Sequence, residues 1–93
     1  MRFIANNKIY DTDKAELLCT GKKQWELKTS FGILCPTRET TLYKTAKGSY
    51  FFTSKGDYDQ YHIEVTNEEI AKRFLVRNNY DKYAELFGEL EEA

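Results

Sequence analysis

Residues 41–53 contain the sequence feature that most limits the fold: two short runs rich in Thr, Tyr and Phe, separated by Ala46-Lys47-Gly48. These residue types favour the pleated surface of a half-buried sheet. Gly48 can take the positive φ that a three-residue hairpin loop needs at its last position. The segment therefore predicts a β-hairpin, and it indicates a fold organised around an antiparallel sheet.

The loop length predicts which residues of this hairpin lie opposite each other. With a three-residue loop the opposed pairs are Thr45 and Ser49, Lys44 and Tyr50, Tyr43 and Phe51, and Leu42 and Phe52. Both faces of the hairpin then carry aromatic side chains, because neighbouring residues on a strand point to opposite faces. A two-residue loop at Lys47-Gly48 would shift the pairing by one residue, and it is the alternative register.

The N-terminal part of the chain shows two shorter strand signals. Residues 2–10 have Asn6-Asn7 at their centre, and asparagine tolerates left-handed backbone, so a short hairpin is predicted there. Residues 14–20 predict a strand that ends at a break over 21–23, with a helical turn as the competing interpretation. In the strand interpretation one face carries Ala15, Leu17 and Cys19.

Two later segments alternate between apolar and polar side chains, as half-buried strands do. Residues 24–31 would place on one side Trp25, Leu27, Thr29 and Phe31. Residues 60–65 would point Tyr61, Ile63 and Val65 inward and His62 and Glu64 outward. Residues 32–36 lie between these segments and are bounded by Gly and Pro, which indicates a bend or an edge position.

The C-terminal third predicts two helices. Thr66, followed three residues later by Glu69, makes a capping box that would begin the first helix. This helix is predicted to run to about Arg77, with an apolar stripe of Ile70, Ala71, Phe74 and Leu75. A shorter helix follows and ends at Gly88, with helical spacing of Tyr80, Tyr83, Ala84 and Phe87.

Together these signals predict an α+β fold, with an antiparallel β-meander of about four to five strands and two C-terminal helices packed on one face. The length of 93 residues fits one domain, expected over residues 1–88, with an acidic C-terminal tail over 89–93. A hydrophobic content of 41% with 15% aromatic residues favours a folded core built largely from rings.

Composition and charge limit the function classes. A net charge of −1 disfavours a dedicated duplex-binding protein. No apolar run reaches membrane-spanning length and the N-terminus lacks a signal-peptide core, so a cytoplasmic protein without a membrane partner is expected. Cys19 and Cys35 are too far apart for a C-x-x-C motif and are predicted to be buried, reduced thiols.

His62 is the only histidine, and Asp57, Asp59 and Glu64 lie near it in the sequence. A catalytic or metal site there would also need a nucleophile, an oxyanion-stabilising loop or further ligands, and the sequence shows none of them. His62 is therefore predicted to be a surface histidine. No catalytic, cofactor-binding or metal-binding residue is predicted, and the protein is expected not to be an enzyme.

Four groups of residues occur in an order that resembles a known family. They are Lys8-Ile9-Tyr10-Asp11-Thr12 with Ala15, Leu42-Tyr43-Lys44-Thr45 and Gly48 with Tyr50-Phe51, Thr66 through Ile70, and Tyr80-Asp81 and Tyr83 with Leu86-Phe87-Gly88. The order resembles that of small uncharacterised proteins carried by plasmids, prophages and conjugative elements of Gram-positive bacteria. This resemblance implies an accessory protein of a mobile element that acts inside the host cell, with no activity or catalytic residue to transfer.

The favoured function is a small non-enzymatic interaction module that binds and modulates a protein partner. The alternative is an accessory single-stranded nucleic-acid-binding protein, which would use the hairpin from Leu42 to Lys55 to stack bases and contact phosphates. In both cases the predicted partner-binding residues are Tyr43, Lys44, Lys47, Tyr50 and Lys55. If the hairpin rings are buried, the next candidate surface is the basic face of the first helix, with Lys72, Arg73 and Arg77.

Overall fold

A four-stranded antiparallel sheet organises the fold of the computed structural model, which describes residues 1–56 and 60–92. The described elements are β1 (Arg2–Ala5), β2 (Lys8–Asp11), β3 (Glu16–Gln24), β4 (Leu27–Thr29), β5 (Gly32–Leu34), β6 (Thr37–Lys44), β7 (Tyr50–Lys55), β8 (Tyr61–Thr66), α1 (Glu68–Asn78) and α2 (Tyr80–Phe87). The large sheet has the order β3-β6-β7-β8, and the pairs β1-β2 and β4-β5 form separate small sheets. The predicted α+β class, a meander followed by two C-terminal helices, is confirmed.

The hairpin of β6 and β7 has the predicted register. Its Cα pairs include Lys44 with Tyr50, Tyr43 with Phe51, and Leu42 with Phe52. Thr45 N donates a hydrogen bond of 2.8 Å to Ser49 O, which closes a three-residue loop. Gly48 has a φ of +88°, so it takes the left-handed position that the loop requires. The alternative two-residue loop is excluded.

Strand β7 is buried on both sides, because a different element covers each face of the sheet. On one face Phe52 packs against α1, with its ring centroid 5.0 Å from that of Phe74. On the other face Phe51 is covered by Tyr10 of the β1–β2 hairpin, with a centroid separation of 5.4 Å. The predicted N-terminal hairpin is thus present, and it covers the sheet face that the helices leave open. The core on the helix side consists of Leu18, Cys19, Trp25, Leu42, Tyr50, Phe52, Ala71, Phe74 and Leu75.

Strand β3 departs from its predicted alternation. Its register against β6 shifts between Leu17 and Cys19, which marks a β-bulge. Leu18 and Cys19 are consequently both buried, whereas Leu17 is 53% exposed, so the prediction that Leu17 and Cys19 share a buried face is wrong. The break predicted over residues 21–23 is wrong too, because β3 stays paired with β6 as far as Gln24.

The single strand predicted over residues 24–31 is also wrong. β3 ends at Gln24, and the next side chain, Trp25, enters the core, where its Nε1 donates a hydrogen bond of 2.8 Å to Thr40 Oγ1. The chain then turns at Ser30 and Phe31 between β4 and β5. Phe31, which was predicted to share an inward face with Trp25, is 100% exposed.

The two sides of strand β8 differ less in burial than predicted. Ile63 and Val65, predicted inward, are half-buried, but Tyr61 is 44% exposed because it begins a strand at the edge of the sheet. His62 and Glu64 were predicted to point outward into solvent, and both are half-buried. The alternation of β8 therefore predicted the strand but not the burial of its side chains.

Helix α1 begins one residue later than the predicted capping box. Asn67 is its N-cap, and Asn67 Oδ1 accepts a hydrogen bond of 2.9 Å from Ile70 N. Thr66 is instead the last residue of β8, lies opposite Tyr50, and has a buried Oγ1 without a hydrogen-bond partner. The capping box of Thr66 and Glu69 is therefore wrong, because sheet pairing holds Thr66 and the cap falls to the following residue.

Candidate functional site

The five predicted partner-binding residues do not form one surface. Tyr43 and Lys44 are neighbours on β6 and point to opposite faces of the sheet. Tyr50 is only 5% exposed and belongs to the helix-side core, with Lys44 Nζ 5.7 Å from the centre of its ring. Lys47 is exposed in the loop before β7, and Lys55 is exposed at the opposite end of that strand.

The hairpin rings are used for packing. Tyr50, Phe51 and Phe52 are buried, and Tyr43 is half-buried with its ring stacked 5.1 Å from that of Phe51. The pKa of Tyr43 is raised by burial, with smaller contributions from Asp13 and Tyr61. Base stacking needs open ring faces. The hairpin presents at most the outer side of one tyrosine for that purpose.

The most exposed large apolar side chain among the described residues, Phe31, lies instead on the β4–β5 hairpin. Phe31 at its turn is 100% exposed, and Ile33 and Leu34 on β5 are each 58% exposed. The two strands pair only with each other, so they form a sheet separate from the four-stranded one. The radius of gyration is 14.2 Å, whereas a compact domain of this length has about 12 Å, which fits a hairpin that projects from the domain.

Hydrogen bonds hold this projecting hairpin in shape at its tip and at its base. At the tip, Thr29 Oγ1 donates to Gly32 O at 2.8 Å and accepts from Phe31 N at 3.2 Å. At the base, Trp25 N donates to Pro36 O at 2.8 Å. The apolar side chains are therefore presented on ordered backbone, which reduces the entropy lost when a surface binds a partner.

Sequence reasoning assigned Phe31 to a buried strand face and so missed this surface. The signal that points to it is the run of turn-forming residues Thr29, Ser30 and Gly32 around a single large ring. Gly32 has a φ of +124°, so it adopts backbone that other residues rarely take. A turn at this position places the enclosed phenylalanine at a loop tip.

A cleft between α1 and the end of β3 is the second notable surface, and we call it the α1 cleft. It has a volume of about 650 Å³. Four basic residues line it: Lys22, Lys23, Arg73 and Arg77. Three apolar residues also line it: Phe52, Ile70 and Phe74. Two of the three basic helix residues that formed the second candidate surface, Arg73 and Arg77, therefore face a concave site.

A small polar cluster lies near Gly56. Arg38 Nη1 and Ser54 Oγ are both buried without a hydrogen-bond partner. A Cβ on Gly56 would lie 2.7 Å from His62 Nε2 and 2.8 Å from Arg38 Nη1, so both side chains would have to shift to make room for it. His62 therefore packs beside a cation. Asp57 and Asp59, which neighbour it in sequence, lie outside the described residues.

Within residues 1–56 and 60–92, no three His, Cys, Asp or Glu side chains are grouped so that they could hold a metal ion. None of the described helices has the length and apolar character needed to span a membrane.

The two cysteines differ in environment. Cys19 is buried as predicted, and burial raises the pKa of its thiol from 9.0 to about 11. Cys35 lies between β5 and β6 and is exposed, so the prediction that both thiols are buried is wrong for this residue. The physical reason is that Cys35 lies at the base of the β4–β5 hairpin, away from the side chains that pack on either face of the four-stranded sheet.

Iodoacetamide at about pH 8 is expected to alkylate Cys35 in the native protein and to spare Cys19, because reaction needs an accessible thiolate. Mass spectrometry of the labelled protein measures this. Cys35→Ser should remain unlabelled until it is unfolded, and equal labelling of both native thiols would contradict the assignment.

The raised pKa of Cys19 also makes the stability of the fold depend on pH. The contribution of the buried, protonated thiol to the free energy of unfolding is present below pH 9 and is lost as the pH rises toward about 11.

Comparison of the chain with known proteins finds no matching family model, no matching curated protein and no matching solved structure. What the protein does is therefore inferred from its own surfaces.

Proposed function

We propose that this protein is a small non-enzymatic module that binds a protein partner through the β4–β5 hairpin. The observation that supports this most directly is the full exposure of Phe31 at the turn of a hairpin that also exposes Ile33 and Leu34, one on each face, by 58% each. Large apolar side chains grouped on a surface mark interaction sites, and aromatic anchors dominate the energetics of protein interfaces. An ordered hairpin that carries such an anchor fits a pocket on another protein.

A protein partner fits this surface better than a nucleic acid does. The hairpin over residues 27–34 carries one charged side chain, Lys28, so it offers little attraction to a phosphate backbone. The rings of the β6–β7 hairpin, which the nucleic-acid alternative needs, pack within the domain. The resemblance to proteins of mobile elements adds that the partner belongs to the host cell or to the element itself.

The test compares two double variants that remove similar apolar surface from different places. Phe31→Ser with Ile33→Ser alters the proposed site. Ile4→Ser with Ile9→Ser alters a cross-strand pair on the β1–β2 hairpin, whose members are 79% and 62% exposed. Each tagged variant is used to capture proteins from the cell that carries the gene, with quantitative mass spectrometry as the measurement.

The expected result is a protein that the wild type and the Ile4/Ile9 variant both retain and that the Phe31/Ile33 variant loses. Exposed substitutions of this kind usually change the free energy of unfolding by less than about 0.5 kcal/mol, so urea titrations should confirm that both variants are folded. Undiminished capture by the Phe31/Ile33 variant would show that the hairpin is not the binding surface.

A further inference from the structure

Two of the four cations that line the α1 cleft are not neutralised by nearby carboxylates of the described residues. Lys23 Nζ lies 2.9 Å from Glu64 Oε2, and Arg73 Nη2 lies 2.8 Å from Glu69 Oε1. Arg77 and Lys22 are exposed, and neither forms an ion pair with a residue in the described part of the chain. The cleft therefore has two cations available to an anionic ligand, in a protein whose net charge is −1.

The α1 cleft also has apolar lining residues beside these cations. Ile70 on α1 is 41% exposed, and it lies beside Phe52 and Phe74, which are buried. The rings of Phe52 and Phe74 pack edge to face at an interplanar angle of 64°, and Lys23 Nζ lies 5.2 Å from the centre of the Phe52 ring, so neither buried ring offers an open face. A ligand in the cleft can gain binding free energy by burying an aliphatic side chain against Ile70. It cannot gain binding free energy by stacking a base on the phenylalanine rings.

We propose that the α1 cleft binds an acidic segment of the protein partner in extended conformation, an inference that rests on the proposed function. Arg77 on α1 and Lys22 on β3 supply the cations for its carboxylates, because Arg73 is already paired with Glu69. Side chains on one side of an extended peptide come from alternate positions, about 7 Å apart. The recognised segment therefore carries Asp or Glu and an aliphatic residue in turn at every second position, so that both face the cleft.

The carboxylates Glu64 and Glu69 also distinguish this ligand from a polynucleotide. Each is paired with a cation that lines the cleft, so each places a negative charge beside the cleft without lining it. A peptide that carries separate carboxylates can avoid them, whereas a continuous phosphate backbone meets them as repulsive charges. The geometry thus favours a short peptide whose negative charges are separated along the chain.

The probe is a labelled peptide that repeats Glu-Ser-Leu-Ser, which puts Glu and Leu on the same side of an extended chain, with its Lys-Ser-Leu-Ser counterpart and an oligothymidylate of similar length as comparisons. Fluorescence anisotropy is expected to show that the Glu peptide binds at least about tenfold more tightly than the Lys peptide. Its affinity should fall as salt rises from about 50 mM to about 200 mM. Arg77→Glu and Lys22→Glu, made separately, should each weaken binding about tenfold.

Lys28→Glu is the matched control, because it makes the same charge change at an exposed lysine on β4, outside the cleft. It should weaken binding less than about twofold. Equal weakening by Lys28→Glu and Arg77→Glu would overturn the site, and displacement of the Glu peptide by oligothymidylate would replace it with a nucleic-acid site. Circular dichroism should show that the variants remain folded, and having two separate cleft variants keeps the test valid if one is unstable.

The hairpin variant Phe31→Ser with Ile33→Ser separates this proposal from the proposed function. It should bind the Glu peptide as tightly as the wild type does while losing the captured partner. Peptide binding lost only in the cleft variants supports the α1 cleft, whatever the hairpin does. Absence of peptide binding by the wild-type protein would overturn the cleft proposal without affecting the test of the hairpin.

Discussion

Phe52→Ala is expected to destabilise the domain by about 3–5 kcal/mol, the range for removing a large ring from a packed core. The Phe52 side chain is 0% exposed and joins the four-stranded sheet to α1 through its edge-to-face contact with Phe74. A domain of this size has a total stability of only about 5–15 kcal/mol. Urea denaturation should therefore show a large fall in the unfolding midpoint.

Phe31→Ala is the control, since it removes the same ring from a position that is 100% exposed. It should change the free energy of unfolding by less than about 0.5 kcal/mol. A similar destabilisation by both substitutions would mean that Phe31 is packed against the domain, and the projecting hairpin would then be wrong.

Gly21→Ala is expected to destabilise the domain by about 1–3 kcal/mol through overpacking rather than through lost contacts. Gly21 lies in β3, where a Cβ would overlap the Cγ and Oδ1 of Asn78 and would lie 2.8 Å from Asn78 Cβ. The Asn78 side chain is fixed in turn, because its Nδ2 donates a hydrogen bond of 2.9 Å to Phe74 O. The added methyl group therefore forces the end of α1 away from the sheet.

A double-mutant cycle with Asn78→Gly isolates this contact. The single change Asn78→Gly should cost about 1 kcal/mol, a few tenths from helix propensity and the rest from the lost hydrogen bond to Phe74 O. In that background Gly21→Ala should be nearly neutral, because the atoms it would meet are gone. An additive result in urea titrations would show that the approach of α1 to β3 does not depend on Gly21.

The parts of the fold that depend on local chemistry were predictable. The β6–β7 hairpin follows from its loop, because Gly48 marks the turn and a three-residue loop that ends at Gly48 sets the observed register. The end of α2 is similar, since Gly88 has a φ of +88° as the predicted stop requires. In each case the determining residues lie within a few positions of one another, so no long-range contact has to be known.

The errors arose where distant residues decide the local structure. Trp25 fits a strand pattern, but its hydrogen bond to Thr40, fifteen positions away, draws it into the core and ends β3. Thr66 fits a helix cap, but its pairing with Tyr50 keeps it in β8. Cys19 is buried beside Leu18 because of a bulge that only the register against β6 reveals. Such choices depend on the assembled sheet, which a single segment does not encode.

The burial of the hairpin rings was missed for a related reason. Rings next to lysines in the β6–β7 hairpin look like a binding surface in sequence, but Tyr50, Phe51 and Phe52 are needed to fill the two cores. Phe31 has no core to fill, and its sequence neighbours alone do not show that. Arg73 and Arg77, named as a second choice from the sequence, line the α1 cleft.

The pairing of Gln24 with Thr37 brings the two ends of the intervening segment side by side at the edge of the large sheet. Trp25 and Pro36 close that segment through a backbone hydrogen bond of 2.8 Å. Residues 26–35 can therefore be lengthened, shortened or exchanged for another loop while the sheet on either side keeps its register. Under the proposed function, replacing this one segment would give the domain a different partner without a new fold.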